Sequence, residues 1–425
     1  MAVDIIRLSD GVDGLFVRNV RFNTTLISFN FYMPLKKERV AEYALLPFIM
    51  TTCSSKYPDF SRLYYKLNKL YGAQLEASAE KVGDFQLLKV TVSVIDDKYT
   101  LDGEELCTQA CDMLLGLIFE PKTENGAFYD EDLNREKRKA IEHIRSEMNE
   151  KRIYAKKRLI EEMYKNSPYG LSKCGTEEQV KNITGKGLYT AWQEIISSAY
   201  VRVNVIGGSL PEGLFESIKA RFDNVKRNNI TDFSKSVATR KAAKINEITE
   251  RMDITQGKLV MGFSSRLHGD DVKTAPLLVM CDIFGGGPYS RLFSNVREKL
   301  SLCYYCSASS VRVKGLLTVD SGVELQNAKK AQEEILNQLE TVKKGEFGDF
   351  EFESSIKSIT DSLKTYDDSQ NSLDLWYSLK LTNENILSPD EMSQLVSKVD
   401  RKSVIDTANG VYLHTIYKLL PEDTK

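Results

Sequence analysis

The side chains that gather at a chemically useful spacing lie in one stretch of this 425-residue chain. It reads Phe284-Gly285-Gly286-Gly287-Pro288-Tyr289-Ser290-Arg291-Leu292-Phe293, then Val296-Arg297-Glu298-Lys299, then Leu302-Cys303-Tyr304. Arg297 carries a guanidinium and Tyr304 a phenol, both hydrogen-bond donors. Gly285, Gly286 and Gly287 permit a tight bend before a helix starting near Tyr289. A glycine-rich turn into a helix could also cradle a phosphate. No Lys follows at P-loop spacing and no strand precedes at a nucleotide-fold spacing, so the context speaks against that chemistry. From residue type alone, Arg297 reads as pairing with Glu298 or a neighbour, and Tyr304 as packing in a sheet.

Other candidate groups are sparse. The histidines are His143, His268 and His414, too few for a His-rich metal centre. His143 stands beside Glu142 in a helical stretch, where a lone His is more often a surface or packing residue. Cys303-x-x-Cys306 has a redox or metal spacing, but residues three apart on a plain strand point to opposite faces, so the sulfurs should diverge. Cys107 and Cys111 read as buried small residues and Trp192 and Trp376 as core or interface anchors. Seven cysteines without a framework suit a reduced, cytoplasmic protein. With 58 basic and 60 acidic side chains, the net charge argues for neither nucleic acid nor membrane. No apolar run is long enough to cross a bilayer, and the first residues, MAVDIIRLSDGVDGLFV, do not read as a leader.

The elements that must position these groups fall into two similar series. Leu15–Val20, Leu26–Met33 and the alternating Leu88–Val94 read as strands. A helix from about Lys36 carries Ala41, Ala44, Leu45, Phe48 and Ile49 on one buried face, with Pro47 expected to kink it. Helices follow at about 61–70, 101–118, 130–165 and 188–198, and a strand Val201–Ile206 closes at Gly207-Gly208. The order then starts again: strand 258–263, helix 274–284, a strand pair 302–309 and 316–321, helices at about 326–342, 348–364 and 372–381, and a last strand 410–417. This predicts an α+β chain of two similar domains, residues 1–222 and 255–425, each an antiparallel-rich sheet covered by helices. The polar, charged segment 223–254 reads as a linker.

The stretch GGGPYSRLFSNVREKLSLCYY resembles the second-domain signature of the pitrilysin or insulinase-like peptidase family. Leu70-Tyr71-Gly72-Ala73, Thr255-Gln256-Gly257 and the closing strands extend that resemblance over nearly the whole chain. It is most similar to the zinc-motif-lacking bacterial type associated with modification of elongation factor P, which implies a cytoplasmic role. The resemblance implies that the chain forms one half of a clamshell. It implies that Arg297 and Tyr304, with the Gly285–Gly287 turn, bind substrate. In the family, His-x-x-Glu-His and a distant Glu hold zinc and activate water. Here the motif positions are Leu45, Phe48 and Ile49, with His143 in the best register for the third ligand. The resemblance therefore implies no metal of its own. It implies a zinc-bearing paralogous subunit as partner, a peptide substrate, and a non-catalytic role in a heterodimeric metallopeptidase. A homodimer, or a purely structural or peptide-binding role, is the alternative.

Overall fold

The computed structural model describes residues 3–381 and 386–422. The first strands are β1 (Val3–Ser9), β2 (Val12–Arg18), β3 (Thr24–Pro34), β4 (Gln74–Val82) and β5 (Phe85–Ile95). A two-residue hairpin follows, β6 (Thr123–Glu124) with β7 (Ala127–Phe128), and then β8 (Tyr200–Gly207). The later strands are β9 (Asn246–Met252), β10 (Gly257–Ser265), β11 (Cys303–Val311), β12 (Leu316–Val323) and β13 (Val411–Pro421). One sheet has the order β1-β2-β8-β3-β5-β4 and the other β11-β12-β10-β13-β9. Every pairing is antiparallel except β2 with β8 and β13 with β9. Read from β4 inward, the first sheet repeats the topology of the second, with β1 added at its far edge. The α+β class and the tandem repeat expected from element order are therefore present in the strand topology itself.

The compact units do not follow the chain in two consecutive blocks. One unit holds Met1–Arg145, Leu171–Lys235 and Tyr366–Lys380; the other holds Ser146–Gly170, Ser236–Thr365 and Leu381–Lys425. In the first unit, Ile27, Phe29 and Phe31 of β3 and Val201, Val203 and Val205 of β8 pack under the apolar helices Val40–Met50, Leu106–Phe119 and Gly185–Ser198. Each such side chain taken fully out of water contributes about 1.5–3 kcal/mol. The other face of the same strands is polar: Ser28, Asn30, Arg202 and Asn204, all buried. The helix Gln370–Ser378 covers it and supplies the partners. Ser28 Oγ and Asn204 Nδ2 donate to Asp374 Oδ1 at 2.5 and 2.7 Å, and Lys89 pairs with the same carboxylate. Arg202 donates to the carbonyls of Tyr377 and Lys380 at 2.9 and 3.0 Å.

In the second unit the helix Lys151–Met163 plays the equivalent part. Ala155 and Leu159 pack on Val260, Tyr417 and Leu419. Gly262 leaves the space that Met163 and Leu159 fill, since a Cβ there would lie 2.8 Å from Met163 Sδ. The sequence suggested one helix over 130–165. The structure breaks it into Asp130–Asn149 and Lys151–Met163, with non-helical backbone at Glu150, and the unit boundary falls after Arg145 near the end of the first piece.

Two further expectations are corrected. The segment 223–254 is not all linker, because β9 lies within it and pairs with β13. Its inward positions are Ile248, Glu250 and Met252, and the central carboxylate hid the alternation. Strand β11 is not plain either. Cys303 stands opposite Val323, Tyr305 opposite Gly322 and Cys306 opposite Ser321, so Tyr304 is the extra residue of a β-bulge. Val323 and Ser321 share a face of β12, and Cys303 and Cys306 therefore share a face too.

Candidate functional site

The helix Val40–Met50 is apolar almost all round, so it is held by burial from several sides rather than by one stripe. Pro47 lies inside it without ending it. Leu45 and Ile49 are 2% and 1% exposed and belong to the main core. Phe48 is 38% exposed and borders a cavity of about 400 Å³. Ala41, Ala44, Leu45 and Ala140 make its apolar wall, and Glu80, Glu136, Lys139 and His143 its polar one. Three of the four positions marked from the resemblance, Leu45, Phe48 and His143, thus meet at one cavity, while Ile49 does not line it.

The residues present do not suit zinc. Leu45, Phe48 and Ile49 have no lone pair to offer. Glu136, 3% exposed, is engaged by Arg135 Nε at 3.1 Å and Lys139 Nζ at 3.0 Å. Among the described residues, no three His, Cys, Asp or Glu side chains are grouped to hold a metal. Sequence reasoning passed over Glu136, although the spacing 136, 139, 140, 143 sets one helix face toward the cavity.

The second candidate site lies in the other unit. Leu292–Lys299 is wound as a π-helix, with Leu300 N–H donating five residues back to Asn295 O at 3.2 Å. The turn into β11 goes through Ser301, a non-glycine residue at φ 51°. Arg297 lies 3.4 Å from Glu298, as residue type suggested, and its guanidinium covers the Phe293 ring at 4.6 Å. Tyr304 does not pack in the sheet: the bulge turns it outward, 57% exposed. Its hydroxyl donates to Glu324 Oε1 at 3.1 Å, and this bond to a carboxylate raises its pKa. Arg297, Tyr304, Cys303, Glu324 and Asn327 line one open concavity of about 370 Å³. Glu324 and Asn327 carry no spacing signal in the sequence, because only the β11–β12 pairing brings them there.

The three glycines do not line that concavity. Gly285 ends the helix Asp271–Gly285, where a Cβ would meet the Ala308 backbone nitrogen at 2.6 Å and Leu292 at 2.8 Å. Gly287 leaves room for Tyr289, whose hydroxyl donates to Asp282 Oδ1 at 2.6 Å. The turn lets the helix close on β11, and so acts on Arg297 and Tyr304 through packing. Arg291 is structural as well, held by Gln338 at 3.0 Å and Glu351 at 3.1 Å.

Residues 182–359 match the family model described as the peptidase M16 inactive domain. The chain is 28% identical over 410 residues, 96% of each chain, to a probable inactive metalloprotease, YmfF, of Bacillus subtilis strain 168. A conserved protein from Enterococcus faecalis V583 has the same fold, with a TM-score of 0.91 at 25% identity over 100% of this chain and 99% of that one. The periplasmic protease PqqL of Escherichia coli superposes with a TM-score of 0.70 at 14% identity, over 98% of this chain but 47% of PqqL. The family match is confined to residues 182–359, and over its whole length the chain is similar to a probable inactive metalloprotease and to solved M16-like peptidases with the same fold.

Proposed function

We propose that this chain is the zinc-lacking subunit of a two-subunit peptidase and binds peptide for a zinc-bearing paralogue. The observation that carries the reading is an asymmetry between its two units. In the first, the motif positions Leu45 and Phe48 line a cavity and Ile49 is packed in the core, with no metal donor set among the described residues. The Arg297–Tyr304 concavity of the second remains open to solvent, with a cation and a phenol in reach of a ligand. Donors so placed hold a backbone carbonyl, and they stabilise an oxyanion where one forms. The metal chemistry belongs to the partner, and the half-length match to PqqL supports a family architecture of two such pieces.

The first unit also has the means to bind an extended peptide. Strand β4 is a sheet edge, and its Ser78, Ala79 and Glu80 line the cavity beside Phe48. An added strand would use the free edge, and alternate side chains would enter the pocket. This feature alone favours the second reading, peptide binding without a share in catalysis. We place both roles in the cytoplasm, consistent with a chain whose cysteines form no disulfide framework.

Co-expression with a zinc-bearing paralogue tests both readings. The chain alone should not cleave peptides, and the complex should. Arg297→Ala and Tyr304→Phe should each lower the turnover of the assembled complex by about a hundredfold to a thousandfold. Full turnover in both variants would remove the first reading and leave the second.

A further inference from the structure

We propose that Cys303 and Cys306 are an oxidisable dithiol that exchanges with low-molecular-weight disulfides and closes to a disulfide across the Tyr304 bulge. The geometry comes first. A plain strand would send the two sulfurs to opposite faces, but the extra residue at Tyr304 restores the shared face, with Cys303 opposite Val323 and Cys306 opposite Ser321. Tyr305 confirms the register. Its ring lies over Gly322, where a Cβ would come within 2.5 Å, and Arg152 stacks on that ring at 4.3 Å. Residues two register positions apart on one strand face are separated by about 6.5 Å. A disulfide takes Cα atoms roughly 4.4–6.8 Å apart, so the pair can close with a small tightening of the bulge.

The two thiols also differ in the way exchange requires. Cys303 lines the open concavity that holds Arg297. Both are buried, at 9% and 6% exposed, but Cys306 does not line the concavity. The hydrogen bond from Cys306 holds the Cys303 thiol below its ordinary value, with Ser321 and the Arg297 charge acting in the same direction against burial. The same contact, with burial, pushes Cys306 well up. A thiolate-prone sulfur at the wall of an open concavity, beside a protonated one set behind it, is the arrangement of an attacking and a resolving thiol.

The exchange balances with the disulfide as sole oxidant. The Cys303 thiolate attacks one sulfur of the small disulfide, its S–S bond breaks, and one small thiolate leaves. Cys306 loses its proton and attacks Cys303 in the mixed disulfide, and the second small thiolate leaves. Two protein thiols are oxidised by two electrons, and one small disulfide is reduced to two thiols. Tyr304, held between the bonded residues, moves with the closure.

The test treats the pre-reduced full-length protein with glutathione disulfide and maps unreduced peptides by mass spectrometry. The expected product is a Cys303–Cys306 disulfide, with two thiols lost and both regained on adding dithiothreitol. In Cys306→Ser the reaction should stop with glutathione on Cys303, and in Cys303→Ser position 306 should stay unmodified. The half-buried Cys174 serves as the internal control for oxidant. Glutathione on Cys174 without a Cys303–Cys306 bond in the wild-type protein would overturn the proposal. So would modification of Cys306 at the wild-type rate in Cys303→Ser.

Discussion

Phe48 and Ile49 are neighbours in sequence and opposites in burial, 38% and 1% exposed. If the former metal face has become packing, the two should respond differently to truncation. Ile49→Ala leaves a hole in the main core and should lower unfolding free energy by about 2–5 kcal/mol. Phe48→Ala widens an existing cavity and should cost well under half of that in the same urea titration. Equal losses would mean that the cavity is closed in solution. Glu250 gives a second prediction at this scale. Burial pushes its carboxyl up, but hydrogen bonds from Tyr154 at 2.6 Å and Tyr417 at 2.5 Å, with Arg158, outweigh it and hold the carboxyl below its ordinary value. A carboxyl held low when folded adds stability that is fully present above its unfolded pKa of about 4.3. That stability is lost as pH falls through the lower folded value. Glu250→Gln should therefore flatten the acid limb of the stability–pH profile below about pH 4.3 and leave its slope near neutrality unchanged. An unaltered acid limb would show that the three donors do not hold the charge.

The glycine turn shows what an element can do for a site it does not touch. Gly285→Ala sets a methyl against backbone of β11, which cannot step aside as a side chain would. The expected loss is about 1–3 kcal/mol by chemical denaturation. If the turn positions Tyr304 through β11, peptide affinity at the concavity should fall in the same variant; unchanged affinity would confine the turn to a stability role. Elements with a regular apolar period were legible in the sequence. Ala41, Ala44, Leu45 and Ile49 announced their helix, and Leu88, Val90, Val92 and Val94 announced β5. What was hidden had its signal carried by polar groups satisfied elsewhere. Glu250 masks β9 because its partners, Tyr154 and Tyr417, are remote in sequence. Ser28 and Asn30 look like the solvent side of β3 but are buried beneath Asp374 and Ser378. The bulge at Tyr304 has no local code at all, since it exists only in the register of β11 on β12. The Arg297–Tyr304 pair was thus legible as a motif, while its outward aim and its neighbours Glu324 and Asn327 were not.

At the scale of the whole molecule, each sheet takes a covering helix from the opposite part of the chain order: Gln370–Ser378 for the first unit and Lys151–Met163 for the second. The sequence boundary near residue 222 therefore does not mark a piece that can stand alone. A fragment of residues 1–222 keeps all six strands of the first sheet but loses Asp374, the backbone acceptors of Arg202, and Gln370, which donates to Ile206 O at 2.8 Å. Removing one side of a buried charge pair costs about 3–5 kcal/mol, and here Lys89, Arg202 and Asn204 lose partners together. That sum approaches the whole stability of an ordinary domain, about 5–15 kcal/mol. The 1–222 fragment should accordingly lack cooperative thermal unfolding and dispersed amide resonances. Fusing residues 366–380 to the end of a 1–235 fragment through a flexible linker should restore both, and the same fusion carrying Asp374→Ala should not. A cooperatively folded 1–222 fragment would show that the polar face of β3 and β8 tolerates water, and that the covering helix is an accessory of the unit rather than part of its core.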